Sequence, residues 1–160
     1  MMDKKLFNIA NALTRSGQPE TSFAAVAHAL AQEPGYRLCT VLIHNPAQNL
    51  VRRAWSSHPD VYPVGGTKPL VDEPWVKPVL IEGKPHLARD PEDLRRVFFD
   101  SALIASLGCG STLNLPVSWD GSVIGSFNIS HEAHYYDSLD LSSFQPLIQL
   151  AVPAMLQAMG

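Results

Sequence analysis

The sequence predicts an α+β domain in which helices pack on an antiparallel sheet. Two observations support this class. Apolar residues recur with helical spacing near both ends of the chain, and two hairpin patterns lie between them, separated by a long loop and a further helix. At 160 residues the chain suits one domain spanning 1–160.

The clearest element is a β-hairpin centred on Asp120 and Gly121. These two residues tolerate the positive φ angles of a two-residue hairpin turn, and the strand formers Val117 and Val123 flank them. Pro116 cannot donate to a strand ladder, so it predicts an edge or bulged position. In the second strand, Gly125 predicts the close approach of a neighbouring backbone.

Two helices are predicted before the sheet. The first has an apolar face and ends at Gly17; its face is formed by Leu6, Ile9, Ala10 and Leu13. The second begins near Pro19 and ends at Pro34-Gly35; its apolar face is formed by Phe23, Val26, Ala27 and Leu30. We expect residues 1–17 to be an N-terminal helix attached to a core of residues 18–160.

The first hairpin is predicted over 37–44 and 50–57, with Asn45-Pro46 between its strands. Six of the thirteen prolines then fall between Pro59 and Pro85, which excludes a long regular element. We expect an ordered loop with one helical turn over 75–81, and long ordered loops are usually functional. A short strand is predicted at 86–88.

Two further helices complete the pattern. Asp90 is typical of an N-cap and Pro91 of the first helical position, which predicts a helix running toward Leu107 and ended by Gly108. The last helix is expected to start irregularly at Pro146 and to kink at Pro153. Its apolar stripe is formed by Phe144, Leu147, Ile148, Ala151, Val152 and Met155.

Composition excludes several classes of function. The net charge of −3 supplies no basic stripe for phosphates, so we expect no nucleic-acid partner. No apolar run reaches the roughly 18 residues of a membrane span and no signal peptide is evident, so we expect a cytoplasmic protein that does not bind membranes. Cys39 and Cys109 form no CxxC pair, which predicts free thiols.

Three short motifs suggest chemistry that their spacing does not support. His131 and His134 are one residue too close for the helical zinc-peptidase pattern, so we expect a solvated loop and no metal. The segment 108–111 lacks the lysine of a phosphate loop, and glycine capping of a helix is the simpler interpretation. Cys109 has no obvious adjacent base, so we predict no catalytic residue.

The hairpin also resembles that of the GAF domain family. The segment Asn114-Leu115-Pro116-Val117, the polar turn and the segment 123–128 match the family pattern, and an acidic stretch over 136–141 opens the last helix. The resemblance extends more weakly back to about Ser22. It implies a GAF/PAS-like central antiparallel sheet of five or six strands, with N- and C-terminal helices on one face. Loops and short helices would form a pocket on the other face.

This resemblance implies a non-catalytic sensory or regulatory domain that binds a small organic ligand and needs no cofactor. It would act through a homodimer, with the first helix as a contact, or through a separate output protein. Tryptophan, tyrosine and phenylalanine would form flat walls, and histidine and asparagine would orient the ligand. We expect one of the two asparagines to be satisfied internally and the other by the ligand. The predicted contacts are Trp55, His58, Tyr62, Trp75, Phe98, Asn114 and Asn128.

Two alternatives stay open. The chain could be an interaction module with a vestigial pocket, or a thiol enzyme of the methionine sulfoxide reductase type. The reductase branch of the family has cysteines in the pocket loop and helix, whereas this chain has none from Ser56 to Asp100 and has Ala105 in the helix. Bilin-attaching members commonly have His after the cysteine, but Gly110 follows Cys109 here. We also find no signature of cyclic-nucleotide binding.

Overall fold

Six strands form one antiparallel sheet, as the sequence predicts. The computed structural model describes residues 2–160 and places the strands at β1 (Leu38–Asn45), β2 (Leu50–Ser56), β3 (Lys68–Pro69), β4 (His86–Ala88), β5 (Ser111–Trp119) and β6 (Ser122–His131). Their order across the sheet is β3-β2-β1-β6-β5-β4. All neighbouring strands pair antiparallel.

Helices cover both faces of this sheet unequally. They are α1 (Met2–Ala12), α2 (Glu20–Gln32), α3 (Pro91–Val97), α4 (Ser101–Ser106), α5 (Gln145–Gln149) and α6 (Val152–Met159). The helices α1, α2, α5 and α6 pack on one face, where the main apolar core includes Phe23, Leu30, Phe127 and Leu147. The short helix α3 and a π-helical turn over Lys77–Ile81 pack on the opposite face.

The central hairpin has the predicted geometry. Asp120 and Gly121 have φ angles of +51° and +79°, as a tight two-residue turn between β5 and β6 requires. Pro116 pairs with Ser126 on one side, but β4 pairs only with residues 112–114, so Pro116 occupies a locally unpaired edge of β5. The predicted edge position is therefore present in the structure.

Close backbone approach at Gly125 is also observed. A Cβ atom built on Gly125 would lie 2.5 Å from the Leu42 carbonyl oxygen and 2.7 Å from Met155 Sδ. Because β1 and α6 both contact this position, only glycine lets the helix pack directly on the sheet.

Three elements differ from the sequence prediction. The helix predicted from Asp90 to Leu107 is two helices, because Phe98 is extended (φ −123°, ψ 128°) and separates α3 from α4. The predicted helical turn near Trp75 is the π-helical turn. The short strand β3 lies within the predicted loop and pairs with β2.

The C-terminal apolar stripe is also interrupted. A 3₁₀ turn over Leu141–Phe144 leads into α5, and α6 begins only after Leu150 and Ala151. Pro146 and Pro153 each lie in the first turn of their helix, where a missing N–H group leaves no intrahelical hydrogen bond unmade. The predicted kink at Pro153 is thus a break between two short helices.

A candidate ligand-binding cavity

A cavity of about 310 Å³ lies on the face of the sheet opposite the terminal helices. Strands β1, β5 and β6 form its floor, and the loop between β2 and β4 forms much of its wall together with the break between α3 and α4. This volume is at the lower end of the range of small-molecule sites, which is about 300–1,000 Å³.

The floor carries no charge, and polar side chains form most of it beside Leu38 and Leu42 of β1. Successive strands place Thr40 opposite Asn128 and Asn128 opposite Asn114, so three polar side chains form a row across the sheet. In the adjacent row the hydroxyl groups of Thr112 and Ser130 lie 2.7 Å apart. These five residues line the cavity, while the alternating positions of the same strands face the main core.

The two asparagine side chains bond to each other. Asn114 Nδ2 donates to Asn128 Oδ1 across 2.8 Å, and the Ser126 hydroxyl donates to the same oxygen across 3.0 Å. Asn128 Nδ2 donates to Thr40 Oγ1 at a longer 3.4 Å. Among the residues that the structure describes, Asn114 Oδ1 is buried without a hydrogen-bond partner. Asn128 is therefore satisfied by the protein, whereas Asn114 retains a free acceptor.

His86 on β4 lies opposite Asn114 in the strand register. Burial lowers the pKa of His86, and the nearby Asn114 amide and the Asp93 carboxylate oppose this shift. The amide is close enough to affect the imidazole, yet neither His86 Nδ1 nor Asn114 Oδ1 reaches hydrogen-bond geometry within residues 2–160. This edge of the floor has unused hydrogen-bonding capacity.

Aromatic rings form one wall of the cavity. The rings of Trp75 and Phe98 have their centroids 6.0 Å apart at an angle of 32°, and Tyr62 lies nearby in the same apolar cluster. The Trp75 indole N–H is buried and has no hydrogen-bond partner among the described residues. It lies near enough to Glu73 to lower the pKa of that carboxyl, but not in hydrogen-bond geometry.

Four charged side chains border the cavity, and their formal charges cancel. Arg53 Nη1 donates to the Pro63 carbonyl oxygen across 3.1 Å, and its guanidinium carbon lies 4.8 Å from the Tyr62 ring centroid. The Tyr62 hydroxyl donates to Asp100 Oδ2 across 2.9 Å. Burial, reinforced by the Asp100 charge, raises the pKa of Tyr62, so this hydroxyl stays a donor.

The other two charges lie toward the opening. Glu73 Oε2 accepts a hydrogen bond from the Phe99 backbone N–H across 3.1 Å, and burial raises the pKa of its carboxyl. Lys68 is exposed in β3. Three of the four charged groups thus already have protein partners, and the charged groups border a neutral interior.

Five of the seven predicted ligand contacts line this cavity, and two do not. Trp55 pairs with Val41 and packs against the main core, because a β-bulge between β1 and β2 at Ala54 turns the indole to the helix-covered face. His58 is exposed and its Nδ1 lies 2.8 Å from the Ser57 hydroxyl. Trp55 and His58 therefore do not line this cavity, whereas the other five predicted contacts do: Tyr62, Trp75, Phe98, Asn114 and Asn128.

Sequence reasoning missed the hydroxyl groups of the floor. Thr40, Thr112 and Ser130 alternate with buried apolar residues in their strands, and Asn114 and Asn128 follow the same two-residue period. Polar residues at alternate positions of an otherwise buried strand indicate a second, polar environment on that face. That period was the signal that could have identified them.

The remaining chemical motifs lie outside the cavity. Burial raises the pKa of both thiols, Cys39 and Cys109, and thereby favours their unreactive protonated form. The His131 ring stacks on Tyr135 with centroids 3.5 Å apart, and His134 Nδ1 lies 2.8 Å from an Asp137 carboxylate oxygen. Across residues 2–160, none of the helices combines the length and the apolar character needed to cross a bilayer.

The fold and its cavity define the class of protein: an α+β domain in which a six-stranded antiparallel sheet backs a cavity. A family model described as "GAF domain" matches residues 18–155. The chain therefore belongs to the GAF domain family, whose members are commonly sensory or regulatory domains.

Solved structures show the same fold. The GAF domain of an Acinetobacter phosphoenolpyruvate-protein phosphotransferase is 17% identical, with a TM-score of 0.73 over 99% of this chain and 95% of that one. The corresponding domain from Coxiella burnetii is 14% identical, with a TM-score of 0.71 over 99% and 92%. A phycocyanobilin-bound GAF domain of a cyanobacterial phytochrome is 17% identical, with a TM-score of 0.70 over 99% and 96%. No curated protein matches the sequence.

Proposed function

We propose that this domain is a non-catalytic sensor that binds a small organic molecule in the cavity. The observation that carries the proposal is an uncharged polar floor beneath aromatic walls, with two buried polar atoms left unpaired at Asn114 and Trp75. A ligand that supplies a partner to each of these atoms gains a hydrogen bond with a net contribution of about 0.5–1.5 kcal/mol. These two atoms therefore favour binding of a molecule that forms hydrogen bonds with both.

The fold supports this use. The similar domain from a cyanobacterial phytochrome is bound to phycocyanobilin, so a domain of this architecture can hold an organic molecule. Nucleophilic chemistry has weaker support in this chain, because the two thiols are buried and their pKa values are raised.

Ligand binding would be transmitted by contact with a second copy of the chain, in a homodimer, or with a separate output protein. Phe7 at the centre of α1 has 68% of its surface exposed, so a second subunit that covered it would bury apolar area. We propose that the exposed side of α1 forms part of this contact. Light scattering after size exclusion would then show a dimer that Phe7→Ser weakens, and a monomer in the presence and absence of ligand would contradict the contact.

The binding proposal is tested by filling the cavity. Thr40 lies on the floor, so Thr40→Met should occupy part of the volume, whereas Thr14→Met changes an exposed residue on the other side of the molecule. A metabolite panel is then screened by thermal shift against wild type and both variants. A compound present at 100 times its Kd stabilises by about 2.7 kcal/mol, which raises Tm by several degrees.

Wild type and Thr14→Met should respond equally to an active compound, and Thr40→Met should respond less or not at all. Native mass spectrometry of protein purified from its own host adds an independent measurement, because a tightly held metabolite survives purification. Absence of both a thermal shift and a retained compound would contradict the sensor function and favour the interaction module.

A further inference from the structure

We infer that the ligand is an uncharged, flat ring compound that carries both a hydrogen-bond donor and a hydrogen-bond acceptor. This inference rests on the proposed function, since it names the chemistry of the molecule that the cavity would hold. Three features of the lining carry it. Two polar atoms, one acceptor and one donor, have no hydrogen-bond partner; the charged side chains lie at the cavity border; and aromatic rings lie side by side in the wall.

The unpaired atoms require a ligand with two complementary groups. Asn114 Oδ1 is an acceptor on the floor, and Trp75 Nε1 is a donor on the wall. A ligand that satisfies both must donate a hydrogen bond toward the floor and accept one from the wall. A lactam or another cyclic amide has an N–H and a C=O group in the plane of one ring.

The orientation of the Asn114 amide follows from its neighbours. Asn128 Oδ1 accepts from both Asn114 Nδ2 and the Ser126 hydroxyl, and Asn128 Nδ2 donates to Thr40. A reversed Asn114 amide would bring two carbonyl oxygens together and lose the 2.8 Å hydrogen bond. The oxygen of Asn114 is therefore available to a ligand, and His86, which lies beside it outside hydrogen-bond geometry, is the protein group that would compete for it.

The charge distribution favours an uncharged molecule. Asp100 accepts from Tyr62, Glu73 accepts from the Phe99 backbone, and Arg53 donates to a backbone carbonyl while covering the Tyr62 ring. The floor residues are all neutral. A charged group placed on the floor would lose its water and meet only neutral side chains, because both cations of the lining, Arg53 and Lys68, lie at the border and Lys68 is exposed in β3.

The shape of the wall favours a flat ring. Trp75 and Phe98 are tilted by only 32° from parallel, and the Tyr62 ring lies in the same cluster. Aromatic side chains stack favourably on planar rings in such arrangements. Because an indole N–H donates in the plane of its own ring, a bicyclic heterocycle would place its apolar face on Phe98 and Tyr62, and its polar edge toward the floor and the Trp75 N–H.

The inference is tested with fragments in three matched classes: uncharged lactams such as 2-quinolone, their N-methyl derivatives, and anions such as quinoline-2-carboxylate. Binding is measured by ligand-observed NMR and by thermal shift. We expect the binders to fall in the lactam class, with N-methylation and the carboxylate each weakening affinity by about tenfold or more, because each removes or opposes one interaction.

Two variants identify the atom responsible. In Asn114→Leu the discrimination between a lactam and its N-methyl derivative should disappear, whereas Asn8→Leu, an exposed change on α1, should retain it. His86→Leu should also retain the discrimination between the lactam and its N-methyl derivative. Circular dichroism and Tm establish that each variant is folded, and the wild-type comparison of the three classes stands even where Asn114→Leu does not fold.

The possible outcomes distinguish failure of this inference from failure of the proposed sensor function. Binders drawn from the anionic class, or equal binding of N-methylated and unmethylated lactams, would overturn the inference and leave a ligand-binding cavity. No binder in any class would count against the sensor function itself.

Discussion

The side-chain amide of Asn114 on β5 donates to Asn128 Oδ1 on β6 across 2.8 Å, and the two residues are direct partners in the strand register. The same row continues to Thr40 on β1. A slip of one residue between β5 and β6 would move these polar groups to the apolar core, so the pair specifies the register as well as the cavity floor.

Removing one member of this pair should lower the free energy of unfolding, and the losses from the two single substitutions should not add. Asn128→Leu leaves Asn114 Nδ2 buried without its acceptor, and we expect a loss of about 1–3 kcal/mol in the free energy of unfolding. The double variant Asn114→Leu/Asn128→Leu removes both polar partners and should be less destabilised than the sum of the single changes. Urea unfolding of the four proteins measures this coupling, and strictly additive losses would contradict it.

The Tyr62 hydroxyl should hold the cavity loop in place. Tyr62→Phe removes its hydrogen bond to Asp100, and we expect a loss of about 1–2 kcal/mol together with faster proteolysis of the segment 63–76. Tyr135→Phe is a matched control, because its hydroxyl donates to the Pro34 carbonyl oxygen far from this loop in the sequence. Equal proteolysis of the loop in both variants would show that the Tyr62 contact does not order it.

Alanine should destabilise the protein much more at Gly125 than at Gly66. In Gly125→Ala the new methyl group meets the Leu42 carbonyl oxygen of β1 and Met155 Sδ, so the Met155 side chain must turn away and the backbones of β1 and β6 must move apart. We expect a loss of about 1–3 kcal/mol or more, as for overpacked cores. Gly66→Ala meets no atom within 4 Å, and its effect should stay within about 1 kcal/mol. Thermal unfolding compares them, and equal Tm values would contradict the close packing at Gly125.

Much of the fold was predictable because its signals are local. The turn at Asp120-Gly121 depends on two residues that accept positive φ, and the N-cap at Asp90 depends on one side chain that accepts from the Asp93 N–H. The break at Phe98 is different. No turn residue marks it in the sequence, and the structure shows that the extended Phe98 lines the cavity.

The cavity was predictable in part, because some of its signals are also local in the sequence. The proline-rich loop concentrates aromatic residues, so Tyr62 and Trp75 were identifiable from composition. The position of Trp55 was not predictable, because the β-bulge at Ala54 depends on how two strands pair. The bulge changes the sheet face on which the next residue, Trp55, lies. The pairing of Asn114 with Asn128 likewise depends on the strand register, which the sequence alone does not give at the level of side-chain contacts.

The two thiols should be poorly reactive in the folded protein. Burial raises the pKa of Cys39, and it raises that of Cys109 with partial opposition from the Arg37 charge. With a thiol reagent at about pH 8 we therefore expect Cys39 to react most slowly, Cys109 somewhat faster, and both rapidly only in urea. Reaction time courses of Cys39→Ser and Cys109→Ser assign the two phases. A folded-state Cys109 that reacts as fast as free cysteine would revive the thiol-enzyme alternative.

Stability should fall as the pH drops below the ordinary pKa of histidine, and His86 should contribute to this fall. Its folded pKa is lowered, chiefly by burial, so the unfolded chain binds the proton more readily. The penalty for folding therefore starts below about pH 6.5 and is complete below the folded pKa. The Asn114 amide and the Asp93 carboxylate oppose this lowering of the His86 pKa without reversing it.

His86→Gln removes this titration and should flatten the dependence of unfolding free energy on pH between about 7.5 and 5. His131 also has a lowered pKa, but it is present in both proteins, so its contribution cancels in the difference. Urea unfolding at several pH values measures that difference. Parallel curves for wild type and His86→Gln would mean that the imidazole is as well solvated in the folded chain as in the unfolded one, and the edge of the cavity floor would then be open to water.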